Sequence, residues 1–115
     1  MKTSEIRFKI ALDDRNIPHD IKWLATDSKH QELKDEKSMF ISLWDPADKT
    51  TFNIHLWTKD MNTDEMHAQF FQTLMSLTES YQRATGNPYV AEEMKKFANE
   101  LAAKTSDWED GRQAK

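Results

Sequence analysis

The spacing of the apolar residues changes once along the chain, and this change limits the folds that the sequence can adopt. Up to about residue 60, apolar and polar side chains alternate with the period of two that is typical of half-buried β-strands. Beyond that point, the apolar residues recur with the period of 3.6 that is typical of amphipathic helices. The sequence therefore predicts strands followed by helices, which is the element order of an α+β fold.

Four strands are predicted in the first half, at about residues 5–12, 18–25, 38–44 and 51–57. The last two can be aligned, because Trp44 opposite Thr51 also places Ile41 opposite Ile54 and makes one face wholly apolar. The first hairpin is less determined. There, the residue at 12 can lie opposite either residue 17 or residue 19 without exchanging the two faces.

Two helices are predicted in the second half. Asn62 and Glu65 form a capping-box pattern, Gly86 is suited to end the first helix, and Asn87-Pro88 is suited to begin the second. We predict a two-layer sandwich, in which both helices pack on one face of a four-stranded antiparallel sheet. The predicted core residues are Phe8, Ile10, Trp23, Ile41, Leu43, Ile54, Leu56, Phe70, Leu74, Phe97 and Leu101.

The 115 residues are expected to form one α+β domain over residues 1–105, followed by a polar C-terminal tail at 106–115. The almost wholly polar stretch at 27–37 is predicted to be a connection. Trp108 is the one tail residue that is suited to anchor the tail.

Charge and composition exclude several kinds of partner. With 16 basic and 20 acidic side chains, the net charge of −4 disfavours nucleic acid as a partner. Cysteine is absent, so disulfides and thiolate chemistry are excluded. No apolar stretch suggests a signal peptide or a membrane span. We therefore expect a cytoplasmic protein without membrane insertion.

No residue pattern predicts catalysis, a cofactor or a metal site. The four histidines are His19, His30, His55 and His67, and none has a close ligand spacing. Asp64 and Glu65 near His67 are explained by the dipole of a helix N-terminus. Turn and cap positions explain the remaining candidate acids, Asp45, Asp48 and Asp60. We expect a protein that is not an enzyme and has no cofactor or metal.

One face of the third and fourth strands carries an unusual set of aromatic rings. The residues predicted to share this face are Phe40, Trp44, His55 and Trp57. Exposed aromatic clusters often mark interfaces, so we predict a protein-interaction site, used for a partner or for self-association into an oligomer. The alternative is that the 27–37 connection or the tail with Trp108 covers the face within one chain.

Several sequence blocks resemble the gliding motility-associated protein GldC family. They are MKTSEI at 1–6, ATDS at 25–28, LWDP at 43–46, LWTKDM at 56–61 and YQRATG at 81–86. The resemblance extends from residue 1 to about residue 101, and the LWTKDM block is its most specific part. It implies a small cytoplasmic protein of the gliding machinery in bacteria of the Bacteroidetes type, linked to type IX secretion. It carries no catalytic residue.

The element order also resembles that of the export chaperone SecB. That likeness concerns the fold alone, and folds do not determine function. It supplies the alternative hypothesis, a small SecB-like holdase for secretion clients.

Overall fold

A computed structural model describes residues 1–27 and 32–113 of the chain. It contains β1 (Ile6–Leu12), β2 (Pro18–Ala25), β3 (Lys34–Glu36), β4 (Ser38–Asp45), β5 (Thr50–Trp57), α1 (Thr63–Thr85) and α2 (Pro88–Gln113). The chain divides into two compact units, a strand unit at Met1–Met61 and a helical unit at Asn62–Lys115. The predicted α+β class is confirmed. Within the described ranges, no helix has the length and apolar content needed to cross a membrane.

The predicted four-stranded sheet is wrong, because the strands form two smaller antiparallel sheets. One has the order β1-β2-β3 and the other consists of β4 and β5. The division falls at Lys37, between the end of β3 and the start of β4. Its carbonyl accepts a hydrogen bond from Thr58 N (2.8 Å). At this residue the chain therefore stops pairing with β2 and begins to pair with the β5 side of the unit. The predicted packing of both helices on one sheet face stays a prediction.

Strand β3 lies inside the stretch that composition identified as a connection. Its Asp35 carboxylate pairs with the Lys22 ammonium of β2, and its Glu36 Oε1 accepts a hydrogen bond from Trp23 Nε1 (2.9 Å). Charged residues have low intrinsic strand preference, so cross-strand side-chain pairing stabilises this short strand. The remainder of the predicted connection, residues 28–31 with His30, lies outside the described residues, as do 114 and 115 of the predicted tail.

The two hairpin registers confirm and refine the sequence prediction. In the β4–β5 hairpin, Trp44 opposes Thr51 and Ile41 opposes Ile54, as predicted. In the first hairpin, residues 10 and 21 are partners, which is the register that leads to 12 opposite 19. A register shift after residue 11 then places residue 12 opposite Pro18. Such a shift is a local irregularity that alternation alone does not specify.

Both helix starts follow the predicted caps. Asn62 Oδ1 accepts from Glu65 N (2.8 Å), and Glu65 Oε1 accepts from Asn62 N (3.0 Å), which completes the capping box. Gly86 ends α1 in the left-handed region, at φ 68°. Asn87 Oδ1 then caps α2 by accepting from the backbone of Tyr89 (3.0 Å). Helix α2 continues to residue 113, so the described part of the predicted polar tail is helical.

The predicted core is only partly buried. The buried apolar residues among those described are Ile21, Met39, Ala91 and Ala98, and the buried polar residues are Thr58 and Thr78. Seven predicted core residues are half-buried, namely Ile10, Trp23, Ile41, Ile54, Leu56, Leu74 and Leu101. Four are exposed, contrary to prediction, namely Phe8, Leu43, Phe70 and Phe97. Within each unit, a helix pair or a two-stranded sheet buries mainly the side chains along its own seam.

Candidate protein-interaction site

One face of the β4–β5 hairpin contains all four residues of the predicted interaction site. Side chains alternate between faces along a strand, and the register places four residues of each strand on this side. We call it the aromatic face, and its residues are Ser38, Phe40, Ser42, Trp44, Thr51, Asn53, His55 and Trp57.

Three of the four predicted site residues lie at one end of the aromatic face. Phe40 and His55 are direct cross-strand partners, and their ring centroids lie 4.9 Å apart in an edge-on arrangement. Trp57 lies diagonally across from Phe40, two residues beyond His55 on β5. The Trp57 side chain retains 51% of its accessible surface. We call this group of three neighbouring residues the Phe40 end of the face.

Trp44 lies apart from the Phe40 end. It is four residues beyond Phe40 on β4, a distance of roughly 13 Å along the strand. Ser42 and Asn53 lie between the two ends, and Ser42 Oγ donates to Asn53 Oδ1 at 2.5 Å. Trp44 is 63% exposed. The aromatic face therefore consists of two apolar ends separated by a polar pair.

A shallow groove next to the Phe40 end adds residues that the sequence reasoning missed. It has a volume of about 200 Å³ and is lined by His55, Leu56 and Trp57 of β5 together with Ile17 and Pro18. The groove joins the start of β2 to the end of β5. Its one sequence signal was the apolar Ile17 directly before the strand-starting Pro18, in a turn that is otherwise polar.

A second, polar cleft of about 480 Å³ lies elsewhere in the strand unit and includes His19, Asp35, Glu36 and Asp60. Its acids have structural partners. Asp60 accepts from Thr58 Oγ1 at 2.5 Å, and this hydrogen bond is the main reason that the Asp60 pKa is lowered. Asp35 and Glu36 hold β3 against β2, as described above. Each of these three carboxylates is therefore paired with a side chain of the same unit: Lys22, Trp23 or Thr58.

The LWTKDM block has a structural role at the exit of β5. Thr58 is buried, donates its hydroxyl to Asp60 and accepts from Met61 N at 3.2 Å. Lys59 Nζ lies 2.5 Å from the carboxylate of Asp13, which occupies the turn between β1 and β2. The block therefore ties the end of β5 to the first hairpin.

The helical unit contains the one cluster of potential metal ligands found among the described residues. Asp64 and His67 of α1 and Glu109 of α2 place one ligand atom each within 4.8 Å of one another. His67 Nδ1 lies 2.6 Å from Glu109 Oε1, and the ring of Trp108 meets the His67 ring edge-on at 5.5 Å. Sequence reasoning placed Asp64 near His67 but missed Glu109. Only the antiparallel return of α2 brings that residue close.

Asp45 has the turn role that was predicted for it. Asp45 Oδ1 accepts from the backbone N–H groups of Ala47 (2.9 Å) and Asp48 (3.3 Å), which is turn chemistry at the β4–β5 connection.

The family comparison gives a specific result. A family model described as gliding motility-associated protein GldC-like matches residues 18–107. The match includes every strand from β2 onward, the aromatic face and most of α2. No curated protein and no solved structure is significantly similar to the chain.

Proposed function

Because the chain belongs to the gliding motility-associated GldC-like family, we propose that it acts as a non-enzymatic binding protein of the gliding apparatus. Its place of action in this proposal is the cytoplasm, on the inner side of the linked type IX secretion system. The aromatic face of the β4–β5 hairpin is the proposed contact surface for a protein partner.

The observation that carries the proposal is the exposure of two tryptophans on one face of a regular hairpin. Large aromatic side chains are costly to leave in water, and they are the residues that contribute most when an interface buries them. Covering rings of this size buries about 150–250 Å² each. Trp44 and Trp57 together with the neighbouring groove thus supply a substantial part of the ~800 Å² per partner of a standard interface.

The division of the face into two ends predicts the form of the contact. The Phe40 end offers neighbouring rings with a groove beside them, which suits an inserted apolar side chain. The Ser42–Asn53 pair between the ends offers a donor and an acceptor that can fix orientation. We therefore expect a partner that lies along the hairpin with an apolar residue at each end and polar groups between them.

The test is a double variant, Trp44→Ser with Trp57→Ser, compared with wild type in a crosslinking pull-down from a gliding strain. We expect partner capture to fall by at least about tenfold, since each lost hot-spot ring typically costs 2 kcal/mol or more. Gliding speed should fall in the same strain. The matched control is Tyr89→Ser, which removes an 84% exposed ring from α2 and should leave capture unchanged.

Two results would contradict the proposed contact surface. One is unchanged capture by a double variant that keeps the wild-type melting temperature. The other is a melting temperature that falls sharply while the remaining folded protein binds normally, because this would assign the tryptophans to stability. Detection of a turnover activity in the purified chain would refute the non-enzymatic part.

One observation favours the holdase alternative. Leu43 and Phe52 are direct partners on the other face of the same hairpin, and they are 56% and 61% exposed. Apolar surface on both faces suits unfolded clients, which need no fixed shape. A holdase would suppress aggregation of several unrelated denatured proteins, and Leu43→Ser with Phe52→Ser would weaken it. A dedicated binding protein would suppress none of them.

A further inference from the structure

The end of the helical hairpin farthest from Gly86 brings together three side chains of metal-binding type. Asp64 and His67 are three residues apart at the start of α1, so they share one helix face. Glu109 reaches them from the last turns of α2, and one ligand atom from each residue lies within 4.8 Å of the others. We propose that Asp64, His67 and Glu109 form a binding site for a divalent transition-metal ion, with Zn²⁺ as the favoured ion.

The distances are suited to a tetrahedral ion after small side-chain movements. Zn²⁺ binds nitrogen and oxygen at about 2.0–2.2 Å, which places neighbouring ligand atoms about 3.4 Å apart. The His67 Nδ1 to Glu109 Oε1 distance of 2.6 Å is shorter than this, and the widest pair in the cluster is no longer than 4.8 Å. The required spacing lies between these values. Side-chain rotations that move the carboxylate oxygens by about 1 Å are sufficient to reach this spacing.

The ligand types select the class of ion. An imidazole nitrogen favours first-row transition metals such as Zn²⁺, whereas Mg²⁺ and Ca²⁺ prefer oxygen ligands alone. Two carboxylates balance the charge of the ion. Three protein ligands leave a fourth position for water or for a group from a partner.

The surroundings of His67 favour a fixed ligand geometry. The Trp108 ring contacts the imidazole edge-on, with 77° between the ring planes, which restricts rotation of the imidazole. The side chains of His67 and Glu109 are 25% and 26% exposed, so water screens this pair less than an open surface, whereas Asp64 reaches the pair from the exposed side. In the metal-free chain the two groups share a hydrogen bond. An ion bound between them would take the place of this hydrogen bond, with the neutral imidazole as ligand through Nδ1 and its one proton on Nε2.

The site's position gives it a structural consequence. His67 precedes Gly86 by 19 residues (86 − 67), which is about 30 Å along α1 from the connection between the helices. Helix ends far from a connection fray most readily. A metal ion bound there would join the start of α1 to the end of α2 and hold the hairpin closed.

The test uses the tag-free chain after treatment with chelator, titrated with Zn²⁺ by calorimetry and with Co²⁺ by visible absorption. We expect one ion per chain and Co²⁺ bands typical of a four-coordinate site. At about a hundredfold excess of Zn²⁺ over the dissociation constant, the melting temperature should rise by on the order of 10 °C. Mg²⁺ at the same concentration should give no rise.

The decisive variants are Glu109→Gln and Asp64→Asn, which retain side-chain shape and hydrogen bonding but remove a charged ligand. Each should weaken Zn²⁺ binding by at least about tenfold, since even supporting residues of metal sites have effects of this size. The matched control is Asp110→Asn, an exposed acid beside Glu109 that lies outside the cluster. It should bind Zn²⁺ like wild type.

The proposal is overturned if the wild-type chain takes up no Zn²⁺. It is also overturned if both variants, each with its metal-free melting temperature checked, bind as tightly as wild type. The second result would place the ion at another histidine.

Discussion

The two compact units bury side chains of different sizes. Among the described residues of the strand unit, the most buried is large, with Ile21 retaining 1% of its accessible surface. Among those of the helical unit, the most buried are small, with Ala98 at 0% and Ala91 at 4%. The spacing of packed helices depends on the side chains at the contact, so alanines allow the two helices to approach closely. A strand pair, in contrast, needs a large side chain to cover its face.

In each unit, the residues that stabilise the fold differ from the apolar residues that are available for binding. The alanine seam leaves larger neighbours such as Phe97 and Leu77 exposed beside it. The strand unit likewise concentrates its buried contact around Ile21 and leaves the rings of the β4–β5 hairpin outside. Residues that hold each unit together are therefore distinct from the apolar residues that remain available for contacts.

The largest expected effect is from truncation of Ile21. Ile21→Ala removes buried methyl groups and leaves a cavity, so the free energy of unfolding should fall by about 3 kcal/mol. Urea denaturation followed by tryptophan fluorescence measures the loss. The control is Ile6→Ala on the neighbouring strand β1, where the side chain is 66% exposed and the loss should stay below about 1 kcal/mol. Equal losses at the two positions would show that the strand unit has no dominant buried residue.

The helical unit is tested by enlarging a buried side chain, Ala98, instead of truncating one. Ala98→Leu inserts three carbon atoms into the seam and should reduce the free energy of unfolding by about 2 kcal/mol through overpacking. The control is Ala103→Leu on the same helix, an exposed position where the change should be close to zero. Far-UV circular dichroism during denaturation follows both variants. A stabilising Ala98→Leu would mean that the seam contains unfilled space.

The sequence was sufficient to predict those elements whose ends or registers are determined by contacts between residues close together in the chain. The box formed by Asn62 and Glu65 and the cap at Gly86 involve residues within one turn of each other, so helix ends could be read directly. The β4–β5 register could also be predicted, because one short turn and one apolar face fix it. Strand β3 was missed because Lys22 and Trp23 hold it from a distant part of the chain, and its own composition resembles a loop.

The same limit applies to the candidate sites. Alternation correctly placed Phe40 opposite His55. It did not show that the Ser42–Asn53 pair separates Trp44 from the Phe40 end. Alternation predicts which face a side chain lies on, but not whether the apolar side chains on that face are adjacent. Glu109 could not be associated with His67 because their contact depends on the register of two helices along their whole length. No short-range sequence pattern encodes that register.

The smallest expected effect concerns the ion pair between the turn of the first hairpin and the segment that follows β5. Lys59 donates to the Asp13 carboxylate, and this hydrogen bond is the main reason that the Asp13 pKa is lowered from 3.8 to about 2. A carboxyl group with a lowered folded-state pKa stabilises the fold above its unfolded value and loses that contribution as the pH falls through the folded value. The stabilisation should therefore be full above about pH 4 and decline between pH 4 and pH 2.

The substitution Asp13→Asn isolates this charge effect. Asn retains the side-chain oxygen that accepts from Arg15 N (2.8 Å) and Ile17 N (3.0 Å), so the turn keeps its hydrogen bonds. The stability difference between wild type and variant should be small at pH 7, because exposed ion pairs contribute little, and should shrink towards zero by pH 2. Lys59→Met should give the same pH profile. A difference that is constant from pH 7 to pH 2 would show that Asp13 acts through the turn alone and that the LWTKDM block is not tied to the first hairpin by charge.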